Sequence, residues 1–288
     1  MSELGWLTQP AVFAWVALAL GLCVGSFLNV VIHRLPRMME RGWRKQCAEI
    51  AGTPPQAQDQ GRYNLLVPRS ACPSCGRGIR AIENVPVLSW LALRGKCAGC
   101  GASICLRYPA VELLAGLGTG WAAWHFGCSL AGAGAALFIW CAIALAFIDQ
   151  ATGYLPDDIT LPLMWAGLLL NLGGTYVTLG EALIGAAAGY LSLWSIYWAF
   201  KLATGKEGMG YGDFKMNAAV GAFVGWKLLP LVILVSAAVG LAFGVAQMVA
   251  ARRGWDGSFR FHFGPYIAIA GVVTLFWGAP ILLWYLGA

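Results

Sequence analysis

Three glycines at alternate positions lead into an aspartate in Gly208-Met209-Gly210-Tyr211-Gly212-Asp213, and Phe214-Lys215 opens an apolar run behind it. Glycine has no Cβ, so another backbone can come close to it. Gly210 and Gly212 are therefore candidates for approach by an extended substrate strand. A second acid, Asp149, closes the run Leu137-Phe138-Ile139-Trp140-Cys141-Ala142-Ile143-Ala144-Leu145-Ala146-Phe147-Ile148. Ionisable groups at the edge of an apolar span are costly to desolvate and are functional-site candidates by default. Two carboxylates within hydrogen-bond reach cannot both ionise easily. Sharing a proton, one acts as general base on a water while the other polarises a scissile carbonyl. The predicted chemistry is hydrolysis of a peptide bond by Asp149 and Asp213 at a membrane boundary. The competing reading is structural, with Asp149 capping the end of its helix and Asp213 serving as the N-cap of a short span. Asp157 and Asp158, after Pro156, read as caps of the fourth span, and either could also help position the site; the lone His125 and His262 read as packing or interface residues.

A second constellation is built from sulfur. Cys72-Pro73-Ser74-Cys75-Gly76 and Cys97-Ala98-Gly99-Cys100-Gly101 are matched C-x2-C turns with 21 residues between them. Each turn points two thiolates at one ion, and the glycine after it lets the backbone curl round the sulfurs. Cys72, Cys75, Cys97 and Cys100 thus predict a closed structural zinc site that activates no water. Disulfides and a redox pair are the weaker readings, because the segment is expected to be cytoplasmic. Cys23, Cys105, Cys128 and Cys141 read as small apolar packing residues, and Cys47 has no partner turn.

The elements that must position these groups follow from composition. Of the 288 residues 59% are hydrophobic and 11% are charged, and the mean hydropathy is +0.68. A soluble domain carries roughly 25% charged residues, so a soluble fold is excluded in favour of an all-α polytopic membrane protein. Spans are expected near 11–32, 109–127, 130–148, 158–176, 181–202, 214–226, 228–250 and 262–286, about eight transmembrane helices, with the sixth unusually short. The first span lacks a basic segment before it and reads as retained, not as a cleaved signal. Between the first two spans, Met38–Ile50 predicts a separate amphipathic helix at the membrane surface. Gly52–Gly61 predicts a loop, as does Gly254–Ser258. The net charge of +6 is unevenly placed, since 12 of the 19 Lys and Arg residues lie between Arg34 and Arg107. That is a positive-inside signal and not a nucleic-acid surface. It predicts an N-terminus outside, a cytoplasmic loop and both aspartates on the cytoplasmic side. The expected organisation is a first span in 1–33, a zinc-ribbon-like cytoplasmic loop in 34–108 and a transmembrane protease core in 109–288.

With these residues in view, the chain resembles the type IV prepilin peptidases. The similarity runs through Gly25-Ser26-Phe27-Leu28-Asn29-Val30-Val31-Ile32-His33-Arg34-Leu35-Pro36, both cysteine turns and Glu83-Asn84-Val85-Pro86-Val87-Leu88-Ser89-Trp90. It continues through Arg107-Tyr108-Pro109, Asp149 with Leu155-Pro156-Asp157, Gly210-Tyr211-Gly212-Asp213, and Phe263-Gly264-Pro265-Tyr266. The resemblance implies a bifunctional enzyme of the bacterial inner membrane, with Asp149 and Asp213 as its catalytic aspartates. It implies cleavage of a short basic leader on the cytoplasmic side. Methylation of the new N-terminal residue, usually Phe, by S-adenosyl-methionine follows. Its substrates would be prepilins and the pilin-like subunits of type II secretion, with membrane lipids and pilus or secretion assembly proteins as further partners.

No glycine-rich strand–helix fingerprint of a soluble methyl-donor fold is found. Asn29, His33, Arg34 and Glu83 are polar groups near the expected cytoplasmic face that could hold the donor or the new amino group, and could equally pin the loop to the helices. Two other classes compete. A transporter would place its acids deep inside spans, whereas these acids map to span ends. A structural membrane protein docking an assembly factor through its zinc loop would make both aspartates dispensable.

Overall fold

The computed structural model describes residues 10–54, 61–251 and 262–287. Most of the expected 52–61 loop, the turn Gly254–Ser258, and Arg252, Arg253 and Arg260 lie outside the described residues. The described residues hold helices and short turns with no strand, only two isolated antiparallel bridges. Two compact units result, one ending at Gly127 and the other beginning at Cys128.

The first unit is built on α1 (Pro10–Ile50) and α3 (Arg107–Phe126), with the short α2 (Leu88–Ala92) between them. α1 runs unbroken for 41 residues. The separate surface helix expected from Met38 to Ile50 is instead the continuation of the first span. Pro36 is inside the helix and does not end it; it is buried beside Leu35 and Arg34, so packing outweighs the lost hydrogen bond. α1 and α3 meet through small residues: a Cβ on Gly25 would stand 2.6 Å from Glu112 Cα. Close backbone approach of this kind is how helices associate where lipid removes the hydrophobic drive.

The second unit contains α4 (Leu130–Thr152), α5 (Asp157–Leu170), α6 (Leu179–Thr204), α7 (Tyr211–Val224), α8 (Leu229–Ala251) and α9 (Gly264–Leu286). Local chemistry sets their limits. Ser129 accepts a hydrogen bond from Gly132 N (3.1 Å) at the start of α4, and Gly153, at φ 72°, turns the chain out at its end. Thr178 and Glu181 form a capping box on α6. α7 packs against α5, α6 and α9, and α4 against α5 and α9. Phe138, Phe214, Phe223, Leu145 and Ile267 are among the buried residues at the centre. Gly185 on α6 and Gly221 on α7 leave no room for a Cβ against each other's carbonyl, and Asn217 Nδ2 donates to Gly189 O (2.8 Å) across the same seam.

Five of these helices, α1, α4, α6, α8 and α9, are long and apolar enough to cross a membrane. The other three expected spans are helices but fall short. α3 is less apolar and carries Arg107 and Glu112. α5 and α7 have 14 residues each, about 21 Å at 1.5 Å per residue, against a hydrocarbon core of about 30 Å. The span expected over 158–176 is helical only to Leu170. There Asn171, fully buried, turns away and donates from Nδ2 to Ala222 O (2.9 Å), while its Oδ1 accepts from Tyr176 N (2.9 Å) and Val177 N (3.1 Å). The protein is thus an all-α polytopic membrane protein with a four-cysteine element.

Candidate active site

Asp213 is the third residue of α7 and not its N-cap. Its Oδ2 reaches back to accept a hydrogen bond from Gly210 N at 3.0 Å. Asp149 lies one turn from the end of α4, and its Oδ2 accepts from Gly264 N, also at 3.0 Å. Gly264 opens α9, so each carboxylate takes an amide at the positive end of a helix. Both side chains are buried, and they stand close enough for the charge of Asp149 to act on Asp213. Neither second carboxyl oxygen is buried without a partner. Each acid is thus anchored through its Oδ2 by a helix-opening amide.

Capping and chemistry are therefore not alternatives here. The capping bonds fix the two carboxyl groups, Asp213 at the expected start of α7 though from its third residue, and Asp149 at the start of α9 instead of the end of its own helix. His262, expected to serve packing or an interface, lies within electrostatic reach of Asp149. Two residues absent from the sequence-based site complete the setting. A Cβ on Gly264 would lie 2.7 Å from Asp149 Oδ2, so only glycine lets that amide come so close. Leu155 fills the space beside Gly212, where a Cβ would stand 2.7 Å from Leu155 Cβ. The close approach expected at Gly212 is thus made from within the chain. Gly210 is exposed, with nothing nearer than 3.8 Å to a Cβ placed there. Asp157 forms an ion pair with Lys215 (2.7 Å), joining the starts of α5 and α7.

In the first unit the four expected cysteines converge. The Sγ atoms of Cys72, Cys75, Cys97 and Cys100 all lie within 4.8 Å of one another. The two turns repeat the same bonds: Gly76 N to Cys72 O and Gly101 N to Cys97 O, each 2.9 Å. Gly76 and Gly101 adopt φ of 71° and 72°, closed to most side chains. The backbone amides of Cys75 and then Ser74 hold the Cys72 thiol down at about 6, the direction that favours a thiolate ligand. Of the remaining cysteines only Cys141 packs on the core; Cys23, Cys105 and Cys128 are exposed, against the packing role expected of them.

The four polar residues near this loop divide. Glu83 accepts from Arg77 Nη2 (2.6 Å) and Arg80 N (3.1 Å). The Arg80 amide and then the Arg77 guanidinium hold its carboxyl below the usual range. Arg34, buried, donates to Asn64 O (3.0 Å) and its guanidinium lies 5.9 Å from the Tyr63 ring centroid. Both are occupied in holding the loop. Asn29 bridges α1 to α3 by donating to Tyr108 O (3.0 Å), yet its Oδ1 is buried without a donor. His33 is exposed and sits in the field of Arg37, Arg107 and Arg34.

Residues 19–126 match the model of the bacterial peptidase A24 N-terminal domain, and residues 136–245 match that of the type IV leader peptidase family. Among the proteins the chain is similar to are several named prepilin leader peptidase/N-methyltransferase. With that of Aeromonas salmonicida (strain A449) it shares 52% identity, over 98% of this chain and 95% of that one. For Stutzerimonas stutzeri the identity is 51%, covering 97% and 96%, and for Pseudomonas aeruginosa it is 50%, covering 97% and 95%. No solved structure matches. Half of all positions shared over nearly the full length, with both family domains in order, mean that the chain belongs to the type IV leader peptidase family.

Proposed function

We propose that the protein removes the leader from prepilins and pilin-like secretion subunits and then methylates the amino terminus it exposes. The observation that carries the protease half is the aspartate pair: two buried carboxyl groups in one field, each anchored by a helix-opening amide through a single oxygen. One carboxylate draws a proton from the attacking water while the other, protonated, donates to the scissile carbonyl. Gly210, exposed beside Asp213, is where an extended substrate backbone comes close, and Gly212 keeps Leu155 and Asp213 in register. The names of the relatives support the second activity.

The methyl donor for that activity is S-adenosyl-methionine. Of the four polar residues considered for it, Arg34 and Glu83 are engaged in the loop, which leaves His33 and the unpaired Oδ1 of Asn29 to serve the methyl-transfer site. The four thiols suit structural zinc. A tetrahedron of Zn–S bonds of about 2.3 Å has edges of about 3.8 Å, and Cys72 Sγ stands 3.8 Å from Cys100 Sγ. All four positions would be filled by sulfur, so the ion would hold the two turns together and take no part in hydrolysis.

We place the protein in the bacterial inner membrane. The basic residues gathered between Arg34 and Arg107 put the loop and the aspartates on the cytoplasmic side and the N-terminus in the periplasm. Lipids and the pilus or secretion assembly proteins are its further partners. The test uses purified protein in detergent with a prepilin. Asp149→Ala and Asp213→Ala should each abolish leader removal with the thermal unfolding transition retained. Normal processing by either folded variant removes the protease assignment.

A further inference from the structure

The seam between α1 and α3 holds a polar group that leader cleavage does not use. Glu112, on the second turn of α3 and buried, accepts from Val87 N at 2.7 Å and from the Ser26 hydroxyl of α1. One turn along α1 from Gly25, which packs on Glu112 Cα, lies Asn29. Its amide orientation is settled by its neighbours. Nδ2 faces two carbonyls, Gly25 O and Tyr108 O, so Oδ1 must be the atom left over, buried and without a donor. At the start of α3 the Arg107 Nε is its counterpart, a buried donor without an acceptor. Val87, which feeds Glu112, sits at φ 59°, a region β-branched residues rarely enter. Buried polar groups are normally paired, and each exception calls for a partner. Backbone strain of this kind also gathers at ligand sites.

We infer that Glu112, Asn29 and Arg107 form a binding site for an α-ammonium group flanked by a carbonyl or carboxylate oxygen. An ammonium carries three donors and no acceptor, which matches a carboxylate and an orphan amide oxygen contributed by one helix seam. The neighbouring oxygen meets the orphan guanidine N–H. Two molecules in the proposed reaction carry this pattern: the amino terminus freed by cleavage, and the amino-acid end of the methyl donor. The inference rests on the methyl-transfer half of the proposed function, and it assigns that half to residues of the first unit.

The experiment reads binding without turnover, so it fails separately from that reading. Calorimetry on the purified protein compares two pairs of probes. One pair is a Phe-led peptide with a free or an acetylated amine; the other is S-adenosyl-homocysteine or methylthioadenosine, which lacks the amino-acid end. One free-amine probe should bind at least about tenfold tighter than its blocked counterpart, as expected for a hydrogen bond to a charged group. Which pair does so identifies the occupant. Glu112→Gln, whose amide oxygen can still accept from Val87 N, should erase that preference and methylation while leaving the melting temperature and leader removal unchanged. Asn29→Leu should erase the preference too, with some loss of stability from the missing bond to Tyr108 O. If the preference persists in both variants, or neither pair shows one in the wild type, the site is not there. If Glu112→Gln loses stability and both activities together, Glu112 is structural and the inference is overturned.

Discussion

Adding one methyl group at Gly264 tests whether the amide of α9 sets the position of Asp149. In Gly264→Ala the new carbon would lie 2.7 Å from Asp149 Oδ2, 3.1 Å from Cγ and 3.2 Å from Cβ, where ordinary contact begins at 3.4 Å. The α9 backbone is the stiffer partner, because Pro265 follows at once and Tyr266 N and Ile267 N bond to Phe263 O. The carboxyl group must therefore retreat by about 0.7 Å, which also stretches its hydrogen bond from Gly264 N. Misplacing a reacting group by on the order of 1 Å costs about 10²-fold in rate, near 2.7 kcal/mol. Leader removal by Gly264→Ala should accordingly lose about two orders of magnitude in kcat with little change in KM. Methylation of a peptide supplied already cleaved should continue, which serves as the control for folding. A folded Gly264→Ala enzyme that cleaves at the wild-type rate would refute the positioning argument.

The glycines before Asp213 should separate in the same assay. Gly212→Ala, driven 2.7 Å from Leu155 Cβ, should destabilise the protein by about 1–3 kcal/mol, whereas Gly210→Ala should leave the melting temperature unchanged and raise KM for the prepilin. Asn171→Ala leaves the Tyr176 and Val177 amides without their acceptor, and should lower stability by about 3 kcal/mol in denaturant unfolding; a neutral result would mean that water replaces the side chain. Metal analysis should find about one zinc per chain, lost in Cys72→Ser. Hydrogen exchange over 61–106 should then quicken while α4 through α9 keep their protection; a metal-free protein with an unchanged loop would contradict the site.

Some of this was written in residue order alone. The cysteine turns were legible because ligand spacing and the following glycines are local properties, and the structure closes them as expected. Apolar stretches with turn residues between them placed every long helix, since burial in lipid demands a continuous apolar run. Length along those runs was less legible. α1 continues past Pro36 because its neighbours bury that turn, and α5 stops at Leu170 because Asn171 finds carbonyls 51 and 52 residues away.

The aspartates divide along the same line. Their type, and their places at the ends of apolar segments, came from the sequence by itself. Which amide anchors each, that Leu155 and not an open channel lies against Gly212, and that His262 comes within electrostatic reach of Asp149 were decided only by tertiary packing. The same holds for Glu112, one acid in an apolar stretch until Val87 and Ser26 meet it and Gly25 packs on its Cα. A carboxyl group's chemistry depends on the few atoms within hydrogen-bond reach, and in this protein those atoms come from other helices and a distant loop.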